Sequence, residues 1–123
     1  MKKTFLILSL AIFCFSCSNN QNGSEATASS TSENPQVEKG MNLVAKSDCL
    51  GCHKINETSV GPAYNLVAAK YTNTEESINT LAEKVQKGGS GNWGAVPMAA
   101  HPNISKEDAE LMVKYVLSLK DVK

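Results

Sequence analysis

At 123 residues the chain has room for one small domain. Its 12 lysines are balanced by 12 acidic residues and there is no arginine, so it is formally neutral. That balance excludes a strong polyelectrolyte and gives no reason to expect nucleic-acid binding.

The opening stretch, MKKTFLILSLAIFCFSC, has the form of an export signal. Lys2 and Lys3 make a positive end, and Thr4 to Phe15 make an apolar run too short to span a bilayer as a mature helix. Small Ser16 precedes Cys17. A signal that ends at a cysteine resembles that of bacterial lipoproteins, although Cys14 and Phe15 stand where that family usually has Leu and a small residue. The resemblance implies a signal over 1–16 and a lipid on Cys17. The plainer alternative is ordinary cleavage nearby, with Cys17 left free or removed. With cleavage at Cys17, 10 Lys and 12 acidic residues remain, a formal charge of −2, and only Cys49 and Cys52 stay in the folded part. A disulfide between cysteines this close would enclose a tiny loop and stabilise little.

The next stretch, SNNQNGSEATASSTSENPQ, is rich in Ser, Asn and Thr and has almost nothing large and apolar to bury. Residues 17–34 are therefore expected to be a flexible tether behind the lipidated cysteine, with a root-mean-square reach on the order of 25 Å. Residues 35–123 form the domain.

Helical signals begin at Asn34, a capping residue followed by Pro35 at the first helical position. Val37, Met41 and Val44 follow at helical spacing and predict a helix over 35–48. Ala63 to Tyr71 reads as a short second helix. Thr74 caps a third, with Glu75 and Glu76 in the first turn, Ile78, Leu81, Ala82 and Val85 on one face, and Gly88-Gly89 as the stop. Ser105 with Asp108 opens a last helix whose buried face is marked by Leu111, Tyr115 and Leu119 and broadened by Val116. The pattern is all-α, about four short helices, and no strand pair is visible. Between the last two helices lies GGSGNWGAVPMAAHPN, a long connection full of Gly and Pro; loops of this length tend to be functional. The core is thin in large aromatics, so a bulky apolar cofactor would help to fill it.

The stretch CLGCHK, residues 49–54, carries the chemistry. A structural zinc site needs four N or S ligands, and Cys49, Cys52 and His53 supply three, with His101 or a carboxylate as the fourth. A redox dithiol belongs at a strand-to-helix junction of a βαβ fold, which the pattern lacks. Covalent haem attachment uses all three residues. Two thiols add to the two vinyl groups, and the next residue brings a neutral imidazole to the iron. Methionine sulfur suits the sixth position. Met41 and Met112 sit on helices and read as core packing, whereas Met98 lies in the long loop, stiffened by Pro97. Met98 is the expected distal ligand. His101 is its rival, with an exposed loop histidine as the plainer reading.

These residues resemble the small monohaem class I bacterial cytochromes c of the cytochrome c-551 type. The resemblance runs over about residues 35 to 121, through CLGCHK, VGPAYNLVAAKY, KGGSGNWGAVPM and the closing KYVLSLK. It implies the class I cytochrome c fold, helices wrapped around one haem c bound through Cys49 and Cys52, with His53 the proximal and Met98 the distal metal ligand. It further implies that the Pro62 carbonyl fixes the tautomer of His53, that Trp93 helps to hold a haem propionate, and that Gly40 lets the first helix approach Tyr115 closely. One departure stands out. The family often has Pro-Pro-Asn after its methionine, and this chain has Ala99-Ala100-His101-Pro102-Asn103.

The expected function is one-electron transfer in a respiratory chain on the periplasmic side of the bacterial envelope, without enzymatic activity, by a monomer held to the membrane through Cys17. Expected partners are redox proteins: a quinol-oxidising complex or other donor, and a terminal oxidase, nitrite reductase or peroxidase as acceptor. Lys46 and Lys54 flank the attachment turn and are candidates for steering an acidic partner. The alternative is a haem sensor or peroxidase-like enzyme with a displaceable distal methionine.

Overall fold

The computed structural model describes residues 34–123. The signal, Cys17 and nearly all of the tether lie outside the described residues. Five helices and one hairpin follow in order: α1 Pro35–Lys46, α2 Cys49–Cys52, α3 Tyr64–Lys70, α4 Glu75–Lys87, β1 Gly89–Gly91, β2 Gly94–Met98 and α5 Lys106–Ser118. None of the described helices is long and apolar enough to cross a membrane.

The helix ends follow the capping chemistry of the sequence. Asn34 Oδ1 accepts from the Gln36 N–H at 2.9 Å, Thr74 Oγ1 from the Ser77 N–H at 3.3 Å, and Ser105 Oγ from the Asp108 N–H at 3.1 Å. Gly88 closes α4 with φ 66°, a backbone state that side chains disfavour. α1 stops at Lys46, short of the expected 48, because Ser47 and Asp48 make a turn into the separate one-turn helix that carries both cysteines.

α5 is the organising element and packs on α1, α3 and α4. It divides the core between two adjacent residues. Met112 joins Val44, Tyr64 and Tyr115, while Val113 joins Ile78, Ala82, Ala109 and Leu117. At its crossing with α1, a Cβ on Gly40 would overlap the Leu111 carbonyl and sit 3.0 Å from Tyr115 Cβ. The glycine is what brings the two backbones together.

Three expectations need correcting. Met41, read as core, is 38 % exposed. Gly40 occupies the contact face, and the next residue is turned about 100° away from it. Leu111, Val116 and Leu119 are only partly buried, while Ala109, Met112, Val113 and Leu117 are buried with Tyr115. A helix packed on three others buries more than one stripe, so a single-face pattern misplaces its centre. Finally, the Gly-rich connection holds an antiparallel pair, with Gly89 opposite Met98 and Gly91 opposite Gly94. Residues 89–97 are all exposed, so neither strand alternates in hydrophobicity. Gly89, Gly91 and Gly94 at φ 103°, 111° and 111° turn it instead.

Candidate haem site

A cavity of about 370 Å³ lies among α1, α2, α3, α4, α5 and the hairpin. Cys49, Cys52, His53, Pro62, Trp93 and Met98 all line it, although they come from three separate stretches of sequence. Its apolar wall is built from Val44, Val67, Leu81, Val85, Met112 and Val113.

α2 is a single helical turn, and that turn carries Cys49 and Cys52. Neither cysteine is in a disulfide; Cys49 is half-buried and Cys52 exposed. Burial first, and the neighbouring Asp48 carboxylate second, push the Cys49 thiol above its ordinary pKa. A thioether has no proton to lose, so attachment removes that titratable group. His53 ends the turn in an extended conformation. Its Nδ1 lies 2.7 Å from the Pro62 carbonyl oxygen. A carbonyl only accepts, so the proton sits on Nδ1, and Nε2 keeps the lone pair a metal needs.

Two contacts hold that ring which the sequence reading did not single out. Tyr64 stacks on it at 5.2 Å between centroids, with 17° between planes. Tyr64 is buried, and burial drives its phenol well above the usual range, with Cys49 and Tyr115 adding to the shift. Gly61 approaches so closely that a Cβ there would sit 2.5 Å from His53 Cε1. Glycine and tyrosine flank the proline of the GPAY stretch, so the signal was within the quoted motif.

Met98 ends β2, and Gly88 lies behind it. A Cβ on Gly88 would come within 2.5 Å of the Met98 carbonyl oxygen. Trp93 stands at the hairpin turn, 43 % exposed. Lys70 Nζ lies 4.4 Å from its ring centroid and donates to the Asn92 carbonyl at 2.7 Å. The Asn92 side chain in turn reaches Tyr71 Oη at 3.3 Å. The C-terminal end of α3 thus grips the turn that presents Trp93, through a lysine the sequence offered no reason to choose.

His101 is not the exposed histidine expected. Its side chain is 20 % exposed and lines the cavity, and Nε2 lies 3.1 Å from Asp48 Oδ1. Lys46 and Lys54 are exposed, and Lys54 Nζ donates to the Leu50 carbonyl at 3.2 Å. Among the described residues no three His, Cys, Asp or Glu gather so as to hold a metal ion. The dithiol reading lacks its βαβ setting, since the described strands form a lone hairpin.

The donor set fits a haem: two unpaired thiols on one turn, an imidazole with Nε2 left over, a thioether sulfur, and an apolar wall. Comparison with known proteins agrees. The family model described as cytochrome c matches residues 37–120. Cytochrome c-551 of Azotobacter vinelandii is 40 % identical over 83 residues, 68 % of this chain and 100 % of that protein. Cytochrome c-552 of Hydrogenobacter thermophilus is 40 % identical over 78 residues, 63 % of this chain and 79 % of that one. The crystal structure of Nitrosomonas europaea cytochrome c552 superposes with a TM-score of 0.60 at 37 % identity, over 64 % of this chain and 98 % of that one. The fold is the class I cytochrome c fold, and the cofactor is one haem c bound covalently through Cys49 and Cys52.

Proposed function

Because the chain belongs to the cytochrome c family, we propose that it is a one-electron carrier of a respiratory chain in the bacterial envelope, and not an enzyme. When bound, the haem supplies a ferric/ferrous couple; the chain supplies the ligands, the dry wall and the exposed edge. The observation that carries the reading is the His53–Pro62 hydrogen bond opening one end of an imidazole to the cavity that Met98 also lines. His53, through Nε2, and Met98, through its sulfur, would hold the iron, and two such protein ligands would leave it for electron transfer rather than substrate binding. The Pro62 carbonyl holds the ring's orientation and raises its basicity. Trp93 offers its indole N–H to a propionate.

Residues 1–16 act as the signal, Cys17 carries lipid, 17–34 tether the domain, and 35–123 work as a monomer on the periplasmic side. Redox proteins are the partners: a quinol-oxidising complex or other donor, and a terminal oxidase, nitrite reductase or peroxidase as acceptor. Lys46 and Lys54 stand exposed beside the attachment turn, where they steer an acidic partner.

Visible spectra of the haem-loaded protein test the reading. A sharp reduced c-type band is expected, with a weak far-red ferric band that disappears in Met98→Ala. A second reading, a sensor or peroxidase-like enzyme, draws on Met98 standing at the end of a short two-stranded hairpin. No far-red band in the parent protein, together with carbon monoxide binding to its reduced form, would favour that reading and sink the carrier.

A further inference from the structure

We infer that His101 and Asp48 form a latch that positions Met98. The inference rests on Met98 being the distal ligand, and it concerns the residues that hold it there. The hairpin is a lone two-stranded pair that lines the cavity, and such a pair is marginal by its own contacts. The place of Met98 therefore depends on what holds the hairpin's ends. At the near end, Gly88 packs against the Met98 backbone. At the far end stands His101, three residues on.

His101 is tied to both walls of the cavity. Its N–H donates to the Val85 carbonyl at 3.1 Å, which fixes the backbone to α4. Its ring crosses to the attachment side, where Nε2 meets Oδ1 of Asp48, the residue before Cys49. Among the described residues no other side-chain hydrogen bond joins 48–62 to 88–101. The two partners differ in setting. The imidazole is mostly buried, while the Asp48 side chain is 83 % exposed and reaches inward to it. His101 Nδ1 is buried with no protein partner. With the proton on Nε2, the carboxylate receives a donor and Nδ1 is a bare acceptor, so no buried N–H is left unsatisfied. The latch closes the cavity between the turn that bears the thioethers and the strand that bears the sulfur ligand. It stands where the resembling proteins often have Pro-Pro-Asn. Two alanines at 99 and 100 give less stiffness than two prolines, and the cross-link restores it.

A double-mutant cycle on the ferric haem-loaded protein tests this, using Asp48→Ala, His101→Ala and the two combined. Imidazole is the probe, titrated against the far-red band. Each single variant is expected to bind imidazole roughly three- to tenfold more tightly than the parent, the scale of one lost hydrogen bond. The double variant should gain no more than either single one. Asp48→Asn keeps an oxygen that accepts from Nε2–H, and it should stay near the parent. Amide exchange at Met98, Ala99 and Ala100 in the same proteins should accelerate by a similar factor, and it reads the latch even if the metal never meets Met98. A parent without the far-red band, with exchange still accelerating in both variants, would remove the ligand reading and keep the latch. Additive effects, unchanged exchange, or an Asp48→Asn as loose as Asp48→Ala would overturn it.

Discussion

Gly61 packs against His53 so closely that one added carbon would sit 2.5 Å from Cε1 and 2.9 Å from Nδ1. Two further contacts restrict how far the ring can yield. Pro62 holds its Nδ1, and Tyr64 stacks against its plane. Gly61→Ala should therefore cost about 1–3 kcal/mol by overpacking and disturb iron ligation at the same time. Thermal unfolding of the haem-loaded protein, followed in the haem band, checks both. Gly51→Ala is the control, because a Cβ there meets nothing within 4 Å. It should be neutral or stabilise by about 0.5 kcal/mol, since glycine is a poor helix residue.

The crossing of α1 and α5 gives a second steric test, away from the haem. Gly40→Ala would push the new carbon into the Leu111 carbonyl. A backbone group cannot rotate away as a side chain can, so the helices must separate. A loss at the upper end of about 1–3 kcal/mol is expected, or more. Denaturant unfolding should show a lower midpoint with an unchanged slope.

Lys70 grips the hairpin turn through the Trp93 ring and the Asn92 carbonyl. Lys70→Ala should loosen that turn by about 0.5–1 kcal/mol, the scale of a cation–π contact at an exposed site. Faster amide exchange confined to residues 91–94 would report it. Lys70→Arg should retain most of the grip, because it keeps both charge and donors. Equal effects of Ala and Arg would rule out the contact as its origin.

Much of this architecture is legible in the sequence. Asn34, Thr74 and Ser105 declare helix starts by local chemistry, and each caps as expected. The class I fold and the haem attachment could be read from CLGCHK with its surrounding motifs. What stayed hidden are contacts set by distance across the chain. Asp48 and His101 are separated by 53 positions, and Lys70 and Asn92 by 22, and no spacing rule links either pair. The hairpin escaped notice for a different reason. Short, and shaped by glycine, GSG and GAVPM have no alternation to detect.

Tyr115 makes a pH prediction. Burial raises its phenol above the ordinary value. A raised folded-state pKa contributes stability that is complete below the unfolded value of about 10 and is lost as pH rises toward the folded one. Unfolding midpoints should thus fall as pH climbs above about 10. Tyr115→Phe should flatten that alkaline limb while lowering stability little at neutral pH. An unchanged limb in the variant would assign the effect elsewhere, with Tyr64, shifted in the same direction, the next phenol to replace.

The cavity's two sides are built to different standards of permanence. Everything from Cys49 to Tyr64 is one short, continuous stretch, and its hold on the haem is covalent. Met98 arrives from far along the chain, at the end of a short glycine-shaped hairpin. Damage to this molecule is therefore graded. With Met98 in the proposed ligand role, heat, denaturant or a competing ligand is expected to act first on its side, which no covalent bond secures. A molecule opened there still carries its haem and can close again without having to find it.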